Sequence, residues 1–347
     1  GNIMHKKFGV SATIVLILLL IVTVNALASS IIHFTPDFAS EFPDTASYNN
    51  VRNSLTDYYR NALKLQNTIP ALSVISTQSI FNEEIKNVAF GVNLHIAFLG
   101  SYNPEKSEYR DDTAYGQSPL INSFFIGFSL SKKLNMYLNY NIVCRVFSTT
   151  LLWKFYEHSS GDIEIVDYGY GVTGKKKVSP RLSKLFLSST ISFGFPSINS
   201  IDKKFGGLFS GFTPDNSHVK TVLGKPIINH YESRFFLIDF SFRYHLRYKF
   251  FNLYAAAGFA FHAFYVQENY SQNINVDYWG YGSATGIETN ASILNEEKAV
   301  YIIPHADAGF AFTFIDWFKI GVMFNIAYAH SIKRIIFSIT AGILFNF

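Results

Sequence analysis

Asp239, Arg243 and Arg247 stand four residues apart, and His305 and Asp307 two apart, in segments where alternate residues are apolar. In an extended chain these spacings put side chains on one face. Asp239, Arg243, His245 and Arg247 then form one row, with His262, His305, Asp307, Lys319 and Asn325 facing the same way on following segments and Arg145 at a comparable count. Such a ring has three uses. Interleaved Asp, His and Arg can pair and fill a narrow interior, since buried charges need partners. They can line a constriction, where Arg145, Arg243, Arg247 and Lys319 against Asp239 and Asp307 would favour anions. An Asp and His couple could also activate water, with His305 or His262 as general base, although no nucleophile motif accompanies it. His305, Asp307 and His262 could approach a zinc ion, but no Cys or tight His pair strengthens that reading, so no metal or other cofactor is expected.

Two further motifs carry little. Gly169-Tyr170-Gly171-Val172-Thr173-Gly174-Lys175 has the look of a phosphate-binding loop, but Lys176 stands where a magnesium-binding Ser or Thr belongs and no helix pattern follows. A glycine-rich strand end is the simpler reading. Cys144, the single cysteine, falls among Met136, Leu138, Tyr140 and Ile142, which reads as an inert, lipid-facing thiol.

The elements that must position the ring are strands. Period-two alternation marks Val88 to Phe98, Phe124 to Leu130, Leu134 to Ile142, Leu185 to Phe195, Phe236 to Leu246, Leu253 to Phe261, Ile302 to Phe314, Phe318 to Tyr328 and Ile335 to Phe347. A weaker strand, Ile163 to Val172, balances up against down and brings the count to ten, or twelve if Ala71 to Ile80 and a loop segment also pair. One face of each is greasy and the other small or polar. Short turns near Lys132, Lys249 and Asp316 oppose long stretches at Gly100 to Pro119, Pro196 to Tyr231 and Tyr270 to Lys298, which assigns the periplasmic and outer sides respectively. Val51, Leu55, Tyr59 and Ala62 recur at helical spacing, predicting a short amphipathic helix over Tyr48 to Gln66 that plugs the lumen or packs at its periplasmic mouth. Ala71 to Ile80 reads as an extra strand or a lumenal segment.

The last strand runs Ile335, Phe337, Ile339, Ala341, Ile343, Phe345 and Phe347 on one face. In this it resembles the closing strand of bacterial outer-membrane β-barrels, and the resemblance implies that Phe345 and Phe347 form the signal read by the barrel-assembly machinery. Lys6 and Lys7, an apolar run to Val24 and Ala26-Leu27-Ala28 predict a signal peptide over residues 1–28. A segment over 29–84 and a barrel over 85–347 would follow. The expected fold is therefore all-β, a transmembrane antiparallel up-and-down barrel with a short N-terminal helix.

Composition agrees. Charged residues are 16% and aromatics 17%, with 35 Phe and 21 Tyr, yet no second run is long and apolar enough for a spanning helix. A net charge of +4 gives no field for nucleic acid. Expected partners are outer-membrane lipid, the assembly machinery and a small solute. The leading functional reading is a non-enzymatic, porin-like passive channel with a narrow polar lumen. A second is a hydrophobic-substrate transporter similar to fatty-acid channels, on the inward residues Phe125, Val143, Phe147, Phe186, Phe235, Leu237 and Phe264. A third is a surface-exposed structural or adhesin barrel.

Overall fold

The structure, a computed structural model, describes residues 29–35, 84–99, 121–142, 144–160, 181–196, 227–280, 283–330 and 334–347, with shorter pieces within 45–77, 101–117, 163–177 and 215–223. The predicted signal peptide lies outside the described residues. Ten strands close into one ring: β1 (Val88–Leu99), β2 (Ile121–Ser131), β3 (Leu134–Asn141), β4 (Val146–Ser160), β5 (Arg181–Gly194), β6 (Ile227–Tyr248), β7 (Phe251–Gly280), β8 (Ser283–Ile315), β9 (Phe318–Ala329) and β10 (Arg334–Asn346). Each pairs antiparallel with its sequence neighbours, and β10 pairs with β1 to complete the circle. In lipid an unpaired backbone group costs several kcal/mol, so closure is what makes these strands stable there.

The expected count is met, but by a different fourth strand. Val146–Ser160 pairs with both β3 and β5, while Ile163–Asp167 folds onto Thr173–Lys177 as a separate two-stranded hairpin. Thr173, Gly174 and Lys175 of the glycine-rich motif sit in that hairpin. The cause is a sharp turn that period-two reading ran through. Asn141 Oδ1 accepts the backbone N–H of Cys144 at 2.9 Å, and Arg145 takes a left-handed backbone, φ 51°. The chain reverses there, and the residues from Cys144 to Phe147 face the opposite way from a continuing strand. Cys144 is buried inside the ring, not turned to lipid, and Phe147 points outward, not inward; Val143 lies outside the described residues.

Tyr270 to Lys298 also departs from expectation. It is not a loop: β7 and β8 pair without interruption up to Gly280 and Ser283. Their 30 and 33 residues are about three times what crosses a bilayer. Up to about Phe236, His262 and Ile302 their outward residues, and those of β6, are apolar; above that level Arg234, Gln267 and Lys298 take over. Over this upper part β9 has already turned back, and Ser29–Thr35 takes its place beside β8, from Ser29 opposite Lys298 to Thr35 opposite Ser292. Val219–Leu223 pairs with β7 higher still. The result is a β-wall standing out of the membrane on one side of the ring.

At the opposite rim Phe347 closes the seam. Its carbonyl accepts N–H groups of Asn87 and Val88, and its own N–H reaches Val88 O. Its ring stacks on Phe90 at 5.7 Å and on Trp317 at 5.6 Å, while Phe345 stacks on Phe90 at 5.1 Å. This is an aromatic girdle of the kind that marks a membrane interface. Phe242, outward and near the middle of the apolar band, should cost about 2–4 kcal/mol of stability when changed to Arg, against about 0–1 for Phe314→Arg at the rim. Urea titration of the assembled protein in lipid measures both; equal losses would put the band elsewhere.

Candidate functional site in the barrel lumen

Residues 70–77 are helical, as is Thr68, and all of these are buried. This is the lumenal segment anticipated for Ala71 to Ile80, as helix rather than strand. The described residues of the predicted helix over Tyr48 to Gln66 are helical as well. Ala71, Leu72, Val74 and Ile75 pack against Cys144, Val146, Phe235, Leu237, Ala260, Ile303, Ala327 and Ile336 from the wall. The polar side of the helix is docked by hydrogen bonds. Asn141 Nδ2 donates to Ser73 Oγ at 2.7 Å, Asn93 Nδ2 to Thr77 O at 3.0 Å, and Ser76 Oγ lies 3.0 Å from Ser338 Oγ. Thr77 Oγ1 turns back to Ser73 O at 2.8 Å.

Glu84 and Ile85, the next described residues, lie towards the periplasmic mouth. Ile85 enters a second apolar layer with Phe125, Tyr137, Leu152, Phe186, Tyr254 and Met323; Gly127 leaves room for it, since a Cβ there would collide with the Ile85 side chain. Glu84 accepts hydrogen bonds from Lys154 Nζ at 3.0 Å and Lys184 Nζ at 2.5 Å, and its carbonyl accepts Asn346 Nδ2 at 3.1 Å from the far side of the ring. The mouth is strapped across. None of these contacts was legible in advance, because nothing in a lone Glu or Asn says which wall it will meet.

Between the two apolar layers sits the charged ring. Its members Asp239, Arg243, His305, Asp307 and Asn325 are all buried inside, whereas His262 is buried beyond the outer layer and Lys319 near the periplasmic rim, opposite Thr313. His305 Nε2 donates to Asp239 Oδ1 at 2.8 Å and Nδ1 lies 3.4 Å from Asp307 Oδ2. Arg243 Nη2 is 3.9 Å from Asp239 Oδ2, and its Nε donates to Ser241 Oγ at 3.0 Å. Asn325 Nδ2 donates to Asp307 Oδ1. His262 packs its ring between Phe235 and Phe264 at 4.9 and 5.3 Å. Two more predicted members are outside the lumen's middle. Arg145 is exposed in the outer turn, and Arg247 stands partly exposed at the periplasmic rim, 4.0 Å from Asp316.

This geometry limits the chemistry. A carboxylate faces each ring nitrogen of His305, hydrogen-bonded to Nε2 at 2.8 Å and 3.4 Å away from Nδ1, so the ring is held between two acids. Among the described residues no group of three or more His, Cys, Asp or Glu is placed to hold a metal ion. The inward aromatics counted towards a hydrophobic path, Phe125, Phe186, Phe235 and Phe264, are packed into apolar clusters.

The sequence matches no protein-family model and no curated relative. Solved structures similar to it include the attachment invasion locus protein Ail of Yersinia pestis, 7% identical over 75% of this chain and 96% of that one, TM-score 0.26. Others are the translocator domain of the autotransporter NalP from Neisseria meningitidis, 8% over 81% and 95%, TM-score 0.26, and the monoaromatic hydrocarbon channel CymD, 8% over 79% and 92%, TM-score 0.22. Likenesses this distant carry no argument about function. The chain's own strand pairing, apolar outer band and aromatic girdle make it a transmembrane barrel of the outer-membrane type, and its location is the outer membrane.

Above the membrane, the inner face of the β-wall holds Tyr231, Val266, Glu268 and Asn295, with Glu268 buried. Burial pushes the Glu268 carboxyl up to about 8, partly opposed by a hydrogen bond from Asn295, and burial followed by the Glu268 charge pushes the Tyr231 phenol up as well. A carboxyl raised in the folded state favours folding most while it stays neutral, below its ordinary value of 4.5, and that contribution is lost as pH climbs to about 8. The unfolding temperature of the wild type should fall over that window and that of Glu268→Gln should fall less; parallel curves would mean the carboxyl is solvated.

Proposed function

We propose that this protein is a self-plugged outer-membrane barrel whose task is to anchor the β-wall at the cell surface, and that it passes nothing in its resting form. The observation that carries this is the occupied lumen: the helix over 70–77 fills the outer half and Ile85 with Glu84 the periplasmic half, bonded to opposite walls. A passive porin needs a water-filled interior. On this reading the protein is no enzyme, its partners are membrane lipid and the barrel-assembly machinery, and it has no business with nucleic acid. The wall formed by Ser29–Thr35, β7 and β8 is the part available to the outside.

A second reading keeps the porin-like function, as a passage for small solutes that opens when the plug leaves. It is favoured by the buried charges. A lumen that never opens would be as stable, or more so, with apolar packing in place of Asp239, Arg243, His305, Asp307 and Lys319. Three cations against two carboxylates would give such a passage a preference for anions.

Two experiments separate the readings. In intact cells, an impermeant maleimide should label His33→Cys on the exposed edge of Ser29–Thr35 and spare Lys132→Cys in a periplasmic turn; the reverse pattern would sink the surface assignment. In planar bilayers the wild type should be silent. Leu72→Asp with Ile75→Asp puts two charges into the apolar cluster and should expel the helix, at a cost of several kcal/mol for leaving it in place. Discrete, anion-selective steps from that variant would establish the second reading, while steady current through the wild type would overturn the first.

A further inference from the structure

The plug helix and the charged ring are not independent. Ser338 Oγ donates to Asn325 Oδ1 at 3.3 Å, Asn325 Nδ2 donates to Asp307 Oδ1, and Asp307 and Asp239 lie on the two nitrogens of His305. Arg243 closes the series beside Asp239. Because Ser338 spends its proton on Asn325, the 3.0 Å contact between Ser76 and Ser338 has one polarity, with Ser76 on the helix donating. Every link therefore points toward one of two carboxylates. The run crosses β10, β9, β8 and β6 and ends on the plug.

We propose that this chain is a latch: the mid-lumen ion cluster holds the helix over 70–77 in the barrel, and upsetting the charge balance of the cluster releases it. Asp239 and Asp307 are matched by Arg243 and by His305 with both ring nitrogens protonated. The other titratable groups near the cluster are Tyr137 from β3, which lies within electrostatic reach of Arg243, His262 from β7, and His95 from β1, which bonds Thr340 beside Ser338 at 3.1 Å. Remove the imidazole and two carboxylates share one guanidinium in a dry interior. Such an excess charge is relieved by admitting water, and the water's way in is through the packing between helix and wall. The latch stands whether or not the barrel ever conducts, because it concerns where the helix sits.

Cys144 is a built-in reporter. It is the chain's single cysteine, is buried, and belongs to the apolar cluster that the helix completes. With the assembled protein in detergent, His305→Gln should raise the rate of maleimide labelling of Cys144 by about tenfold or more, as expected when a buried charge balance is broken and local opening becomes easier. His305→Gln combined with Asp239→Asn leaves Asp307 matched by Arg243 and should return the rate toward that of the wild type. Ser338→Ala cuts the chain at the helix without touching a charge and should also speed labelling. Thr190→Val is the control: its hydroxyl pairs with Thr150 at 2.8 Å, equally buried but off the chain. The latch is wrong if His305→Gln labels at the wild-type rate, or if Thr190→Val labels as fast as it does. Should His305→Gln fail to assemble, Ser338→Ala decides alone, and a wild-type rate there overturns the proposal.

Discussion

Lipid offers a backbone amide nothing to bond with, so each strand in the membrane has to find a neighbour on both sides. The pairing of β10 with β1, from Phe337 opposite Phe98 to Asn346 opposite Ala89, supplies the last of these bonds. Everything else is conditional on that seam. It fixes which residues of all ten strands turn inward, and it encloses a space slightly wider than wall side chains alone can fill. The chain fills that space with its own helix and with Ile85, in two apolar layers separated by a charged one.

The strands were legible wherever the outward face was consistently greasy, as in β1, β6, β9 and β10, because lipid tolerates few exceptions there. Legibility failed where lipid does not judge the sequence. Above the membrane β7 and β8 alternate nothing recognisable, yet they pair as regularly as below it, since backbone bonds in water need no side-chain pattern. It failed again at the turn from Ile142 to Arg145, which the side chain of Asn141 brings about. Missing one reversal misplaced Arg145, Phe147 and Cys144 together, as a register slip must. The inward rows at Asp239 to Arg243 and His305 to Asp307 could be read because they share strands with clear outward faces. Their partners on other strands could not, because spacing along one strand says nothing about distance across a lumen.

The buried ion cluster is an odd filler. Its cost is high, and apolar substitutes would pack the same volume. What charge adds is direction: an Asp beside a His and an amide beside an Asp accept few alternative arrangements, whereas Leu against Ile accepts many. The helix is thereby held in one position and one rotation, with Ser73 toward Asn141 and Ser76 toward Ser338.

Ser29–Thr35 pairs with β8 above the outer rim, and Glu84 meets Lys154 and Lys184 at the periplasmic mouth. Above the ring, inside it and at its mouth, one stretch of chain is thus tied to walls on opposite sides, through Asn141 and Ser338 at the helix and through Lys184 and Asn346 at Glu84. Seam and thread are therefore coupled: a ring that loses its closure loses the far anchor of the thread, and a thread that loses its seat unties two sides of the ring.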